Sequence, residues 1–263
     1  MQISSHTALV TGASGGLGQA IARALRERGA GLILTGRRRE LLESLAAELD
    51  ARALAADLAD AAQLDRLIGE ARDVDILVAN AALPASGTLD SFSAEQLERA
   101  LDVNIRAPIR LAHALLPSML ERRSGHLLFM SSLAGKAAAP GASLYNASKF
   151  ALRGFASALR AELRSSGVGV STVFPGFIRD AGMFADSGAK LPPGIGTRSP
   201  EDVARAVVRA IERNRGEVDV APLPLRASAT FASLAPELAS NIGRHLGAEE
   251  VSRRLGRGQR DKR

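Results

Sequence analysis

Short apolar runs closed by glycine or polar turns alternate with amphipathic stretches from residue 7 to about residue 221. The runs at 7–11, 31–35, 52–56, 75–79, 126–131, 169–174 and 217–220 read as strands. The stretches near 17–29, 39–49, 60–70, 93–102, 104–122, 146–166, 200–214 and 229–245 read as helices. Several runs have no polar face: Ile76-Leu77-Val78-Ala79 and Leu127-Leu128-Phe129-Met130 are apolar throughout. Such a strand must be covered on both sides, as in a parallel sheet held between two helical layers. The alternation therefore predicts an α/β fold, a single domain with a doubly wound parallel sheet of seven strands. Residues 1–250 are expected to form that domain, and 251–263 a basic, disordered tail. Only 179–199 breaks the rhythm; rich in Gly and Pro and without a period, it is expected to be a functional loop.

Charge sharpens the exclusions. The chain of 263 residues carries a formal +6. Six cations in the tail (Arg253, Arg254, Arg257, Arg260, Lys262 and Arg263) face one acid, Asp261, so the body is nearly neutral. A short basic end of this kind reads as solvated chain rather than a nucleic-acid surface. One Tyr, no Trp and eight Phe supply no base-stacking platform. There is no cysteine, hence no disulfide, no thiolate nucleophile and no Cys-based metal site. The histidines at 6, 113, 126 and 245 have no ligand spacing, so no metal site is expected. No apolar run approaches the roughly 18 residues that span a bilayer. The strand-like segment close behind Met1 leaves no room for a signal peptide, and a cytoplasmic protein is expected.

The turn after the first strand reads Thr11-Gly12-Ala13-Ser14-Gly15-Gly16-Leu17-Gly18. Without Cβ atoms the chain can turn tightly, a diphosphate can approach the backbone, and the N–H groups opening a helix can face it. Gln19 and Ala20 stand where an ATP-binding P-loop would need Lys and Ser or Thr. The second strand ends at Thr35-Gly36 followed by Arg37 and Arg38, without the acid that holds an adenosine ribose 2′-hydroxyl. Two arginines there suit a 2′-phosphate instead, with Arg37 the better candidate. NADP(H) is the expected cofactor, with NAD(H) as the alternative.

Tyr145-Asn146-Ala147-Ser148-Lys149 places a phenol and an ammonium one helical turn apart. A cation beside a phenol lowers its pKa from about 10 toward working pH, as an acid/base requires. Ser132 closes an apolar strand 13 residues earlier, where its hydroxyl can bond a substrate oxygen beside the phenol. Asn104 lies in a stretch that reads as helix.

Together, in this order and on these elements, the residues resemble the short-chain dehydrogenase/reductase family over residues 6–221, with its Rossmann fold. Gly12, Gly16 and Gly18 match the family's Thr-Gly-x-x-x-Gly-x-Gly turn. Asp57 matches its adenine-contacting acid, Asn80 its Asn-Asn-Ala-Gly element, and Pro175-Gly176 its turn beside the nicotinamide. Asn104, Ser132, Tyr145 and Lys149 fill its catalytic tetrad. The resemblance implies an NADP(H)-dependent oxidoreductase interconverting an alcohol and a ketone or aldehyde. Tyr145 would serve as acid/base, Ser132 would polarise the oxygen, Lys149 would hold the nicotinamide ribose, and Asn104 would position a relay water. It implies cofactor contacts from Gly12, Ser14, Gly15, Gly16, Leu17, Gly18, Arg37, Arg38, Asp57, Leu58, Asn80, Ala81, Pro175, Gly176, Ile178 and Asp180, besides Tyr145 and Lys149. It also implies a homotetramer or homodimer.

Two positions depart from the family pattern: Ala82 replaces a glycine, and Asp180 stands where Thr or Ser commonly binds the nicotinamide amide. Ser132, Leu133, Leu144, Met183 and Phe184 are expected to line the substrate cleft, with 179–199 as its lid. Few charges lie in these segments, which predicts a neutral, fairly apolar substrate unless Lys136, Arg179 or Lys190 faces inward. A non-catalytic NADP(H)-binding regulator on the same fold is the alternative, against which the complete tetrad weighs. Phe150 and Phe155, on the helix after the tyrosine, are expected to pack in the core rather than against a ligand, or to let that helix bury a face in an oligomer.

Overall fold

In the computed structural model, which describes residues 1–189, 191, 195–245, 254 and 256–259, alternate residues of each strand go to opposite faces. The strands are β1 (Thr7–Thr11), β2 (Gly31–Gly36), β3 (Arg52–Ala55), β4 (Ile76–Ala79), β5 (Gly125–Met130), β6 (Val168–Pro175) and β7 (Glu217–Val220). All neighbours pair in parallel, in the order β3-β2-β1-β4-β5-β6-β7. Ala8, Val10, Ile76, Val78, Leu128 and Met130 enter one core with α1 (Gly16–Glu27), α2 (Arg39–Glu48) and α8 (Pro200–Glu212). Leu9, Leu77, Leu127 and Phe129 enter the other, with α3 (Ala61–Glu70), α5 (Ala107–Glu121) and α6 (Ser143–Glu162). This is the predicted doubly wound single domain. The order reverses between β1 and β4, where folds of this kind open a crevice at the carboxyl ends of the strands.

The differences from the sequence reading have local causes. The stretch 229–245 is not one helix: α9 (Leu223–Leu234) and α10 (Pro236–His245) are separate. Pro236 has no N–H to continue α9 and keeps Ala235 out of helical torsions, at φ −135° and ψ 70°. Part of the aperiodic 179–199 loop is helical, as α7 (Gly182–Ser187). A π-helical turn, Asp102–Arg106, joins α4 (Ala94–Leu101) to α5. Phe155 meets Phe129 edge-on at 5.5 Å in the core, whereas Phe150 is 41% exposed and lies outside it. Much of the basic stretch 251–263 lies outside the described residues. Gln259, within it, is 2% exposed, so at that residue the tail is not a solvated end. Among the described residues, no helix is long and apolar enough to cross a membrane.

Candidate active site

The glycine turn bends where Gly12 takes φ +66°, and a Cβ there would lie 2.9 Å from Ala81 Cα. Gly18 lets α1 rest on the turn, since its Cβ would fall 2.2 Å from the Gly12 carbonyl oxygen. Gly15 precedes α1 and no side chain caps the helix, so its first N–H groups keep their capacity for an anion. Thr11 holds the turn against β4: its hydroxyl accepts from the Asn80 and Ala81 N–H groups, each at 3.0 Å. Asn80 Nδ2 donates back to the Thr11 carbonyl at 2.9 Å. Asn80 is thus a clamp between β1 and β4, and Thr11, which the sequence reading left without a role, is its other jaw.

Both arginines after β2 are exposed, and they differ in reach. Arg38 donates from Nη2 to the Ser14 carbonyl, on the glycine turn itself. Ser14 is buried, and a Cβ at Gly36 would meet its hydroxyl at 2.8 Å, so this glycine lets β2 end against the turn. Asp57 lies beyond them. Burial raises its pKa, but Arg99 Nη2 at 2.6 Å and the Ala59 N–H outweigh that and hold it below the usual carboxylate value. Leu58 turns its side chain into the core.

On the other side of the crevice, α6 begins at Ser143 without a side-chain cap, so Tyr145 sits in its first turn. The Tyr145 N–H donates to the Ala85 carbonyl at 3.2 Å, tying α6 to the loop after β4. Asn146, buried, accepts from the Ala139 N–H and donates to the carbonyls of Ala134 and Ala137, which folds 134–139 against the helix. Gly135 makes this possible, since its Cβ would lie 2.7 Å from the Lys149 carbonyl oxygen. Lys149 is 3% exposed and donates to the Met130 carbonyl at 3.0 Å, with its Nζ 5.6 Å from the centroid of the Tyr145 ring. The Ser132 hydroxyl donates to the Pro175 carbonyl at 3.3 Å and accepts from the Ala134 N–H at 3.1 Å.

Electrostatics departs from expectation at the phenol. Desolvation pushes the Tyr145 pKa up, and Ser132 opposes this only in part. Burial also drives the Lys149 ammonium down to about 8. The chain alone therefore holds a neutral phenol, the form that can donate a proton, beside a lysine that titrates near working pH.

Asn104 is buried in the π turn, with both ends of its amide on Leu83: Oδ1 accepts at 2.7 Å and Nδ2 donates at 3.0 Å. Its side chain is thus a brace between the π turn and the loop after β4. Such turns concentrate at functional sites because they break the i→i+4 ladder. Pro175 ends β6, and at Gly176 a Cβ would press on Ala221 at 3.0 Å. Ile178 is buried and pairs with Arg198, closing the base of the lid; the Ser199 hydroxyl, accepting from Asp202 N–H, caps α8 just beyond. Asp180 takes φ +67° and lies 3.3 Å from Arg179, so these two exposed charges offset each other. Lys136 does not reach the cleft: it bonds Asp219 at 2.7 Å and Glu217 at 2.9 Å, above the Phe174 ring. Lys190 lies outside the described residues.

Leu133 follows Ser132 in a 3-10 turn and touches the Gly176 position, while Leu144 packs with Ala85 and Ala100 beneath Tyr145. In the lid, Phe184 lies against Phe177 at 5.1 Å. Ala181 covers the start of α1, where a Cβ on Gly16 would meet its own at 2.5 Å, and Gly182 adjoins Leu17. The 179–199 loop and the glycine turn are thus in contact at these residues. Among the described residues, no three His, Cys, Asp or Glu side chains are gathered as metal ligands.

A helix start able to hold a phosphate, across a crevice from a half-buried tyrosine and a buried lysine, defines a dinucleotide-dependent oxidoreductase. The family model of the short chain dehydrogenase matches residues 6–192, and the chain belongs to that family of NAD(P)-dependent oxidoreductases. It is 36% identical over 242 residues to the ketoacyl reductase HetN of Nostoc sp., covering 89% of this chain and 84% of that one. A short-chain dehydrogenase from Sphingobium yanoikuyae, solved with NADPH, superposes with a TM-score of 0.78 at 28% identity, covering 90% and 95%. A short-chain dehydrogenase from Streptomyces avermitilis gives 0.76 at 30% identity, covering 95% and 98%.

Proposed function

We propose that the protein reduces a neutral, fairly apolar ketone or aldehyde with NADPH, or runs the reverse oxidation. The observation that carries this is Tyr145 in the first turn of α6 with the buried Lys149 one turn behind it, its Nζ 5.6 Å from the phenol ring, and Ser132 at the end of β5 drawing the phenol's pKa down. The cofactor fits the residues present: uncapped amides at the start of α1 and the Gly12 cradle accept a diphosphate, while Arg38, on the turn, and Arg37 accept a 2′-phosphate. Bound there, the dinucleotide supplies the hydride. Ser132 orients the substrate oxygen, and Tyr145 gives it a proton as the alkoxide develops. Lys149 lowers the cost of the resulting phenolate, and the Asn104 main chain holds a water that returns the proton. The apolar side chains of Leu133, Leu144 and Phe184 and the offset of Arg179 by Asp180 favour an uncharged substrate. The name of the Nostoc relative makes 3-ketoacyl compounds the first ketones to try. We assign self-association to the face of α6 that exposes Phe150.

The test is Tyr145→Phe. It should retain NADPH binding, followed by nicotinamide fluorescence, and lose about a thousandfold in turnover of any ketone the parent reduces. Undiminished turnover would rule out the phenol as the proton donor.

A further inference from the structure

The cleft has two lips, and one short segment touches both. The first lip is the loop after β4 joined to the start of α6, where the Gly87 N–H donates to the Gly141 carbonyl at 2.7 Å and Tyr145 N–H to Ala85. The second is α7, the helix of the lid. Residues 256–259 lie against the two together. A Cβ on Gly256 would be 3.3 Å from Gly87 Cα, and one on Gly258 would be 2.1 Å from the Ser187 carbonyl oxygen. Gln259 Nε2 donates to the Met183 carbonyl at 2.9 Å. The segment therefore bridges the loop after β4 and α7, with glycines where the backbones approach most closely.

Gln259 adds a second, independent observation. Its side-chain oxygen is buried and has no hydrogen-bond partner. The bond to Met183 fixes which end of the amide is nitrogen, so the orphan is the acceptor. A buried carbonyl left unpaired is costly and calls for a donor.

Resting on the oxidoreductase reading above, we propose that 256–259 roof the substrate cleft and that Gln259 determines specificity. Its Oε1 accepts a hydrogen bond from an N–H or O–H carried by the ketone substrate. A ketone with an ester oxygen at that point would set two acceptors against each other and be disfavoured.

The experiment uses the full-length Tyr145→Phe protein loaded with NADPH, so that affinity is read without turnover. Calorimetry compares N-ethylacetoacetamide with ethyl acetoacetate, which differ by one N–H in place of an ester oxygen. The amide should bind about tenfold tighter. Gln259→Met should bring the ratio to about 1 while the ester's affinity stays within about twofold, because the acceptor is lost and the side chain's length is kept. Gly258→Val, which forces the segment away from Ser187 with Gln259 intact, should also abolish the preference. Equal affinities in the parent, or a preference that survives both changes, overturns the proposal. Oxidation of NADPH by the unmutated protein with either ketone reports separately on the oxidoreductase reading; its failure beside an intact N–H preference would sink that reading alone.

Discussion

Tyr145 and Lys149 share one helix face, yet burial moves both away from charge. The phenol goes up and the ammonium comes down to about 8. For Lys149 the unfolded chain keeps a proton between about pH 8 and 10.5 that the folded one gives up. Its burial penalty is therefore full below 8 and fades as pH rises. His126 shows the same physics without function. It is buried, and its Nε2 donates to Ser171 Oγ at 2.8 Å, since that hydroxyl itself donates to the Arg215 carbonyl. Burial first, then the positive N-terminus and Arg160, bring its pKa from 6.5 to about 3. Between these values the unfolded chain takes up a proton that the native one refuses, so stability falls as pH drops through 6.5, by up to about 1.4 kcal/mol per unit. His126→Gln should flatten that slope in urea titrations from pH 7 to 4. An unchanged slope would assign the acid sensitivity elsewhere.

At the scale of elements, the first strand–turn–helix is the most tightly specified part of the chain. Gly18 has no room for a methyl group, because the displaced atoms would be the Gly12 carbonyl and the Ala13 Cα rather than a movable side chain. Gly18→Ala should cost about 1–3 kcal/mol of stability and weaken NADPH binding, since the turn must shift to admit it. A denaturation midpoint and a cofactor titration equal to the parent's would contradict this. The break between α9 and α10 shows the opposite regime. The apolar pattern of 229–245 continues across it, but Pro236 removes the N–H that the helix needs.

For the whole molecule, the sheet order brings together at one edge segments that are far apart in sequence: the glycine turn, Ser132, Pro175 and the lid. A ligand held there stabilises the entire fold in proportion to its affinity. NADPH at about a hundred times its dissociation constant should add about 2.7 kcal/mol. NADH at the same concentration should raise the melting temperature less, and Arg37→Ala with Arg38→Ala should erase the difference. Equal shifts from both cofactors in the parent would remove the case for a 2′-phosphate site.

Much of this was legible in the residues. Fully apolar strands demand two helical layers, glycine spacing announces a phosphate turn, and Tyr-x-x-x-Lys in a helix announces a pair on one face. These are local signals, set by torsions and periodicity. The site itself was legible as a set of residue names. What each does was not, because that depends on partners distant in sequence. Lys136 looked able to charge the cleft until Asp219 and Glu217 of β7 were found holding it. Asn104 read only as a residue within a helix, and its two bonds to Leu83 exist only in the fold. The phenol's pKa followed burial rather than its sequence neighbour. The basic tail looked like solvated chain, and only the folded molecule laid Gln259 against the lid. Sequence determines which segments are strands and helices and which residues fall on one face of each. Tertiary structure decides which polar groups are already satisfied and which still need a partner, because burial and pairing are properties of the assembled core.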